Sequence, residues 1–134
     1  GVSTGVDTPI ARFAESPGYF DWARSIMAAV RRMMECFYGD FFLLTQHPET
    51  RRGLYAYQCD LPAEGRGFFI AFQRGGDPED TERNFTLRAI VPDADYEVET
   101  FRGTTNRMKG ADLRCLSVFL PEARQTRLVF YKKL

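Results

Sequence analysis

The sequence predicts a mainly β fold: an antiparallel Greek-key β-sandwich of about seven to eight strands preceded by one long amphipathic α-helix. Two patterns predict this class. Over residues 17–38, apolar residues recur every three or four positions, which is the period of a helix with one apolar side. After Gly39, short aromatic and aliphatic runs are separated by Gly, Pro, Asp or Asn, as is typical of antiparallel sandwiches.

The helix has a clear beginning and end. Residues 1–16 are predicted as an irregular lead-in, because they show little periodicity. Ser16 can cap the first free N–H groups, Pro17 tolerates the first helical position, and Gly39 ends the helix. We call the predicted apolar side of helix 17–38 the apolar stripe; its members are Phe20, Ala23, Ile26, Met27, Val30, Met33, Met34 and Phe37.

Residues 39–134 are predicted to form the sandwich domain. The predicted strands are residues 41–46, 54–60, 67–74, 84–91, 96–101, 113–120 and 126–132. In residues 96–99 apolar and acidic residues alternate, which places Tyr96 and Val98 inward and Glu97 and Glu99 outward. Residues 68–72 are apolar throughout, which predicts a central strand covered on both faces.

Turn residues separate these strands. Residues 62–65 (PAEG) and 92–95 (PDAD) carry the chemistry of tight turns. Residues 75–83 (GGDPEDTER) are predicted as a long charged loop. The pair Gly75–Gly76 is too short for a phosphate-binding loop and is interpreted as part of this turn.

The charge balance argues against two classes of partner. Eighteen basic and eighteen acidic residues cancel, so we expect neither nucleic acid nor a membrane surface as partner. No apolar run approaches the ~20 residues of a membrane helix, and residues 1–9 lack the features of a signal peptide. A first residue that is Gly rather than Met suggests a processed terminus or the remnant of a tag, and thus a chain trimmed from something longer.

The cysteines do not predict a metal site or a disulfide framework. Cys36, Cys59 and Cys115 are odd in number and lack the spacing of a zinc clamp. They are interpreted as buried, reduced thiols, which favours a reducing compartment such as the cytoplasm.

No catalytic set is visible, so the chain is not expected to be an enzyme by itself. The single histidine, His47, lies next to Pro48 in a polar segment and is interpreted as solvated. Glu97 and Glu99 share a strand face, but that face is predicted to be wet, where carboxylates keep ordinary acidity. A run of loop carboxylates is also interpreted as solvated: Asp77, Glu79, Asp80 and Glu82. We therefore assign no catalytic, metal, cofactor-binding or substrate-binding residue.

Aromatic residues are the compositional exception. The chain has twelve Phe and six Tyr, and most of these rings are predicted to pack in the core. Trp22 adjoins the apolar stripe and is a candidate for contact with a partner domain. Exposed rings along one sheet face would instead indicate a carbohydrate-binding module.

Five segments resemble the C-terminal domain of α-galactosidase-type glycoside hydrolases, family thirty-six and its relatives. They are residues 39–45 (GDFFLLT), 54–60 (LYAYQCD), 65–74 (GRGFFIAFQR), 90–98 (IVPDADYEV) and 127–133 (RLVFYKK). The resemblance covers about residues 37–134. Leu43–Leu44, where the family has a proline, and Arg51–Arg52, where it is more acidic, depart from the pattern.

The resemblance implies a function as well as a fold. In that family a (β/α)₈ barrel carries two catalytic aspartates and a Greek-key sandwich follows it, so helix 17–38 would correspond to the last barrel helix. None of the family's catalytic residues has a counterpart here. The implied role is a non-catalytic accessory domain that packs on a barrel, with self-association of the isolated chain through the apolar stripe. A carbohydrate-binding module and a protein-interaction domain are the alternatives.

Overall fold

The computed structural model describes residues 17–45, 53–75 and 77–134, which form a mainly β protein with one long helix before the strands. The predicted mainly β class, with antiparallel strands after one long helix, is confirmed. The helices are α1 (Tyr19–Cys36) and the four-residue α2 (Gly110–Leu113). The strands are β1 (Asp40–Leu43), β2 (Leu54–Leu61), β3 (Arg66–Gln73), β4 (Glu82–Thr86), β5 (Asp95–Thr100), β6 (Thr105–Lys109), β7 (Cys115–Phe119) and β8 (Thr126–Lys133).

Helix α1 is two residues shorter at each end than predicted. Gly18, at φ +78°, precedes it, and the N–H of Gly39 closes its end by bonding to the carbonyl of Cys36. The predicted cap Ser16 and the lead-in 1–16 lie outside the described residues. The described chain divides into two compact units, and the division falls inside α1, between Arg32 and Met33.

The strands form two antiparallel sheets. Six of them pair in the order β1-β2-β3-β8-β5-β6, and β4 pairs with β7. The prediction of a central strand is confirmed, because β3 lies between β2 and β8. Phe68 and Phe69 point to opposite faces of β3, and both side chains are fully buried.

One face of the six-stranded sheet packs against the β4–β7 pair and is called the inner face; the opposite face is the outer face. Phe69 on β3 meets Phe85 on β4 with ring centroids 5.4 Å apart. The core between the sheets also contains Leu54, Ala56, Ala71, Leu87, Tyr96, Val98, Leu113, Val118, Val129 and Tyr131. The inward positions predicted for Tyr96 and Val98 are thus confirmed.

The predicted tight turns are both present. In the first, between β2 and β3, the N–H of Glu64 bonds to the carbonyl of Leu61, and Gly65 adopts φ +63°. That left-handed conformation is costly for other residues, which explains the glycine. In the second, between β4 and β5, the N–H of Ala94 bonds to the carbonyl of Val91.

One strand was missed, and several element boundaries differ from the prediction. Strand β6 was missed because its sequence, TNRMK, has a single apolar residue; it forms by pairing with β5, where Lys109 and Asp95 also make a salt bridge of 3.0 Å. The strand predicted over 84–91 ends at Thr86, because the backbone of Ala89 turns to φ 60°. The strand predicted over 113–120 begins only at Cys115, because residues 110–113 form α2.

Candidate functional site

The outer face carries a continuous row of aromatic side chains across β1, β2 and β3. We call Phe41, Tyr57, Tyr55 and Phe72 the aromatic row. Successive ring centroids along it are 5.3, 6.3 and 5.1 Å apart. These distances are typical of packed aromatic pairs, so the row is a connected surface rather than four separate rings.

The aromatic row is partly open to solvent. Phe41 is 57% exposed, and Tyr55, Tyr57 and Phe72 are half-buried. The guanidinium of Arg74 lies 5.5 Å from the ring centroid of Tyr55, within the range of a cation–π contact. A surface of this composition can stack on a sugar ring or pack against apolar protein surface.

Burial of the aromatic residues is therefore divided. The prediction of core packing holds for six rings: Phe68, Phe69, Phe85, Tyr96, Phe130 and Tyr131. It is wrong for another group, whose side chains are more than half exposed: Phe20, Phe37, Tyr38, Phe41 and Phe119. The sequence pattern did not predict the exposure of Phe41. This residue lies on β1, an edge strand with a neighbouring strand on one side only.

Next to the aromatic row, the outer face contacts the C-terminal end of α1. Phe37, just after α1, meets Phe68 edge-on with ring centroids 5.9 Å apart. Arg66 at the start of β3 pairs with Glu35 at 3.0 Å and with Glu64 at 3.3 Å. Because these pairs are largely solvent-exposed, we expect each to add little stability.

Two of the three cysteines, Cys36 and Cys59, are buried as predicted. Burial, together with a smaller contribution from the nearby Cys36, raises the pKa of Cys59 to about 11. Burial also raises the pKa of Cys36, although Arg66 opposes that change. Both groups are thus neutral thiols near pH 7 and poor nucleophiles or metal ligands. The prediction of burial is wrong for the third cysteine, Cys115, which is exposed. The alternation of side chains along β7 turns Leu116 and Val118 toward the core instead.

A buried hydrogen-bond network lies on the inner face of β2 and β8. The Tyr131 hydroxyl donates to Oδ1 of Asp60 at 2.7 Å and accepts from Nε2 of Gln58 at 2.8 Å. The same amide nitrogen donates to the carbonyl of Arg88, and Oε1 of Gln58 accepts from the N–H of Arg88, each at 2.8 Å. The network joins the six-stranded sheet to the segment that follows β4.

Protonation in this network is shifted by burial. Burial raises the pKa of the Asp60 carboxyl, and the hydrogen bond from Tyr131 partly opposes it. Burial raises the pKa of Tyr131 as well, with the hydrogen bond to Asp60 acting in the same direction. All three side chains are almost fully buried, so the network has no access to substrate and serves to hold the two regions together. No local sequence pattern indicates it, because its members sit in strands dominated by apolar residues.

The acidic residues singled out in the sequence behave differently from one another. Glu97 is exposed on the outer face as predicted, and Glu99 on the same face is half-buried. Asp80 is not the solvated side chain that we predicted: it accepts from the N–H of Leu54 at 2.9 Å and from two guanidinium nitrogens of Arg83 at 2.7 Å. Partial burial acts to raise its pKa, but these donors hold the pKa below its usual range.

Asp80 therefore has a structural role: its carboxylate ties the charged loop to the start of β2. Asp77 is half-buried and its carboxylate accepts from the N–H of Glu79 at 3.0 Å, while Glu79 and Glu82 are exposed as predicted. His47 and Gly76 lie outside the described residues. Among residues 17–45, 53–75 and 77–134, no group of three His, Cys, Asp or Glu side chains is placed to hold a metal ion. Neither described helix is long and apolar enough to cross a membrane.

The apolar stripe of α1 is largely exposed. Its exposed members are Phe20, Met27, Val30, Met34 and Phe37, and Trp22 beside it is 46% exposed. Ala23, Ile26 and Met33 are half-buried, while Ala29 and Cys36 form the buried side of the helix. Large exposed apolar side chains in a row are typical of surfaces that bind another protein.

Comparison with known proteins identifies the fold. Neither a protein-family model nor a curated protein sequence matches the chain. Among solved structures, part of the alpha-galactosidase from Lactobacillus brevis has the same fold, with a TM-score of 0.65 and 13% sequence identity. The matched region covers 89% of this chain and 17% of that chain. This chain thus spans about a sixth of the length of the enzyme that it resembles.

Proposed function

We propose that this chain is a non-catalytic accessory domain of an α-galactosidase-like glycoside hydrolase, which packs on a catalytic (β/α)₈ barrel and stabilises it. The observation that carries the proposal is the fold match, because 89% of this chain superposes on 17% of an alpha-galactosidase. A match of that size corresponds to one domain of a larger enzyme. The proposal includes Greek-key connections between the sheets and a cytoplasmic location.

The surface of the chain supports this role. The apolar stripe of α1 and Phe41 on the outer face expose more apolar side chain than a finished small domain normally does. A helix and a sheet face that pack on a barrel would have such exposed apolar surfaces in the absence of the barrel. As part of this proposal, we assign catalysis to the barrel.

The size of the native product tests this proposal. An antibody against this chain, applied to extracts of the source organism, is expected to detect a protein several-fold larger than 15.4 kDa. Peptide mass spectra of that protein should include barrel sequence preceding residue 1. A native product of 15.4 kDa would contradict the accessory role.

An activity assay tests the non-catalytic part of the proposal. The purified chain is expected to leave 4-nitrophenyl α-galactoside intact, whereas the longer native protein hydrolyses it. Turnover by the purified chain that survives further purification would show that the chain is an enzyme by itself.

Self-association follows from the same exposed stripe. Without its barrel, the chain is expected to associate as its concentration rises, and Val30→Asp should abolish this by placing a charge in the stripe. Ala28→Asp is the matched control, because Ala28 is exposed on α1 but lies outside the stripe. Sedimentation velocity measures both; a wild-type monomer at all concentrations would contradict association.

The aromatic row supports a second function, carbohydrate binding. Four connected rings on one face, with Phe41 57% exposed, provide the stacking surface that sugar-binding sandwiches use. Titration of the ¹⁵N-labelled chain with galactose, glucose and mannose oligosaccharides is expected to shift residues of β1 and β2 if the row binds sugar. Loss of those shifts in Phe41→Ala would assign the site, and no shifts at millimolar sugar would exclude this function.

A further inference from the structure

A cavity of about 640 Å³ lies on the side of the molecule that carries β4. It is lined by residues 84–90, by Leu43 and Leu44 at the end of β1, and by Arg114 just before β7. Its volume is within the range of small-molecule sites, roughly 300–1,000 Å³. Phe85, Leu87 and Ile90 are buried in its floor, and the remaining lining is mostly exposed and polar. The cavity is separate from the aromatic row, which lies on the outer face.

Backbone groups that point away from β7 line this cavity. The N–H of Leu87 bonds to the carbonyl of Arg114, and the N–H of Leu120 bonds to the carbonyl of Thr81. In an antiparallel pair, hydrogen-bonded positions alternate, so the N–H and C=O groups of Asn84 and Thr86 point away from β7. β4 has no strand on its other side among the described residues. The cavity wall therefore offers both donors and acceptors to a ligand rich in hydroxyl groups.

Two arginines border the same cavity. Arg88 and Arg114 are exposed, and no ion pair of either guanidinium occurs among the residues that the structure describes. Hydrogen bonds fix the backbone of both residues. The N–H of Arg88 donates to Oε1 of Gln58, and the carbonyl of Arg88 accepts from Nε2 of the same side chain. The N–H of Arg114 donates to the carbonyl of Gly110 at 2.8 Å. Guanidinium groups bind carboxylates and phosphates through paired hydrogen bonds.

The backbone next to Arg88 adopts an unfavourable conformation. Ala89 has φ 60°, in the left-handed region that residues other than glycine rarely occupy because it is sterically unfavourable. The buried side-chain amide of Gln58 accepts a hydrogen bond from the N–H of Arg88, the residue before Ala89. The same amide donates to the hydroxyl of Tyr131, which in turn donates to Asp60, and these bonds orient the amide. Because the core of the protein fixes this exposed turn, the cavity wall next to Arg88 is preorganised.

We propose that this cavity binds a small hydroxyl-rich ligand that carries a carboxylate or phosphate group, such as an acidic sugar or a sugar phosphate. Arg88 and Arg114 bind the anionic group, and the backbone groups of Asn84 and Thr86 that point away from β7 bind hydroxyls. The proposal is independent of the accessory-domain function, since it concerns a site on the chain itself.

Titration of the ¹⁵N-labelled chain with galacturonate, galactose 1-phosphate and neutral galactose tests this site. The two anionic sugars, or one of them, should give saturable shifts in residues 84–90 and 114 that weaken as salt rises, and galactose should give none. Binding of only one anion identifies the group as carboxylate or phosphate. No saturable shift with either anion, or equal shifts with galactose, would overturn the proposal.

Two substitutions place the charge recognition. Arg88→Gln and Arg114→Gln should each weaken binding of the anionic sugar about tenfold or more, as loss of a charged hydrogen bond does. Arg107→Gln is the matched control, because Arg107 is exposed on β6 and faces the outer side, across from Glu97. Unchanged affinity in both test variants, each with a wild-type-like spectrum, would overturn the assignment. The salt dependence of the wild type decides the question if a variant does not fold.

Discussion

The two faces of the six-stranded sheet use the same strands for different purposes. On the inner face Ala56, Phe69 and Val129 are buried against the β4–β7 pair, and hydrogen bonds link the buried side chains of Gln58, Asp60 and Tyr131. On the outer face the same strands present Tyr55 and Tyr57, which remain half-buried and continue into the exposed Phe41. The inner face is a completed core, whereas the outer face is a surface that still has apolar area to bury.

This difference shows which part of the molecule maintains the fold and which is available for binding. Apolar burial provides most of the stability, at roughly 25 cal/mol per Å². A completed core on one face therefore allows the other face to retain aromatic side chains for a partner or ligand. If this is correct, matched substitutions on the two faces should have very different effects on stability.

The largest expected effect comes from emptying the inner core. Phe69→Ala removes a ring that is 0% exposed and contacts Phe85, so we expect the free energy of unfolding to fall by about 3–5 kcal/mol. Phe41→Ala on the outer face removes the same group from a 57% exposed site and should cost less than about 1 kcal/mol. Urea unfolding of both variants makes the comparison; equal losses would show that the outer face is also part of the core.

The next effect comes from the polar network of the inner face. Tyr131→Phe removes the hydroxyl that links Asp60 to Gln58 and leaves buried groups without a partner, so a loss of about 1–3 kcal/mol is expected. Tyr57→Phe removes a hydroxyl from the aromatic row and is the control, with an expected change below about 0.5 kcal/mol. The same unfolding assay measures both. A loss in Tyr57→Phe as large as that in Tyr131→Phe would contradict the assignment.

The sequence predicted the parts of the fold that local patterns determine. The apolar stripe located the helix to within two residues at each end, and the alternation at Tyr96 and Val98 identified the inner face of β5. Strand β6 was missed, because pairing with β5 rather than apolar pattern makes that segment a strand. The strand predicted over residues 84–91 was extended too far at its C-terminal end, since the turn at Ala89 depends on the distant residue Gln58.

The candidate sites were less predictable for the same reason. Phe41 contacts Tyr57 only after β1 and β2 pair, and strand pairing is not determined by local sequence. Arg88 and Arg114 lie far apart in the chain and border one cavity because β4 and β7 pair. Composition indicated many aromatic residues but could not separate the buried rings from the exposed ones.

The smallest expected effect is a pH dependence that belongs to the inner face alone. Burial raises the pKa of Asp60 above its ordinary value of 3.8 in the folded protein. Between pH 3.8 and that raised pKa the folded state keeps a proton that the unfolded state has released. Stability therefore falls as the pH rises through this window, and the loss is complete above the folded-state pKa.

Asp60→Asn isolates this contribution, because an amide oxygen can still accept from Tyr131 but does not ionise. The stability of the variant relative to wild type should increase from about pH 4 upward and then level off. The height of that plateau reports how far burial weakens the acid, since a tenfold change in an acid dissociation constant corresponds to about 1.4 kcal/mol. Urea unfolding from pH 3.5 to 8 measures the curve.

Asp93→Asn is the control for this pH dependence, because Asp93 occupies an exposed turn position and the variant should follow the wild-type curve throughout. A relative stability of Asp60→Asn that does not change with pH would mean that Asp60 is solvated. The inner face would then be no more complete than the outer one.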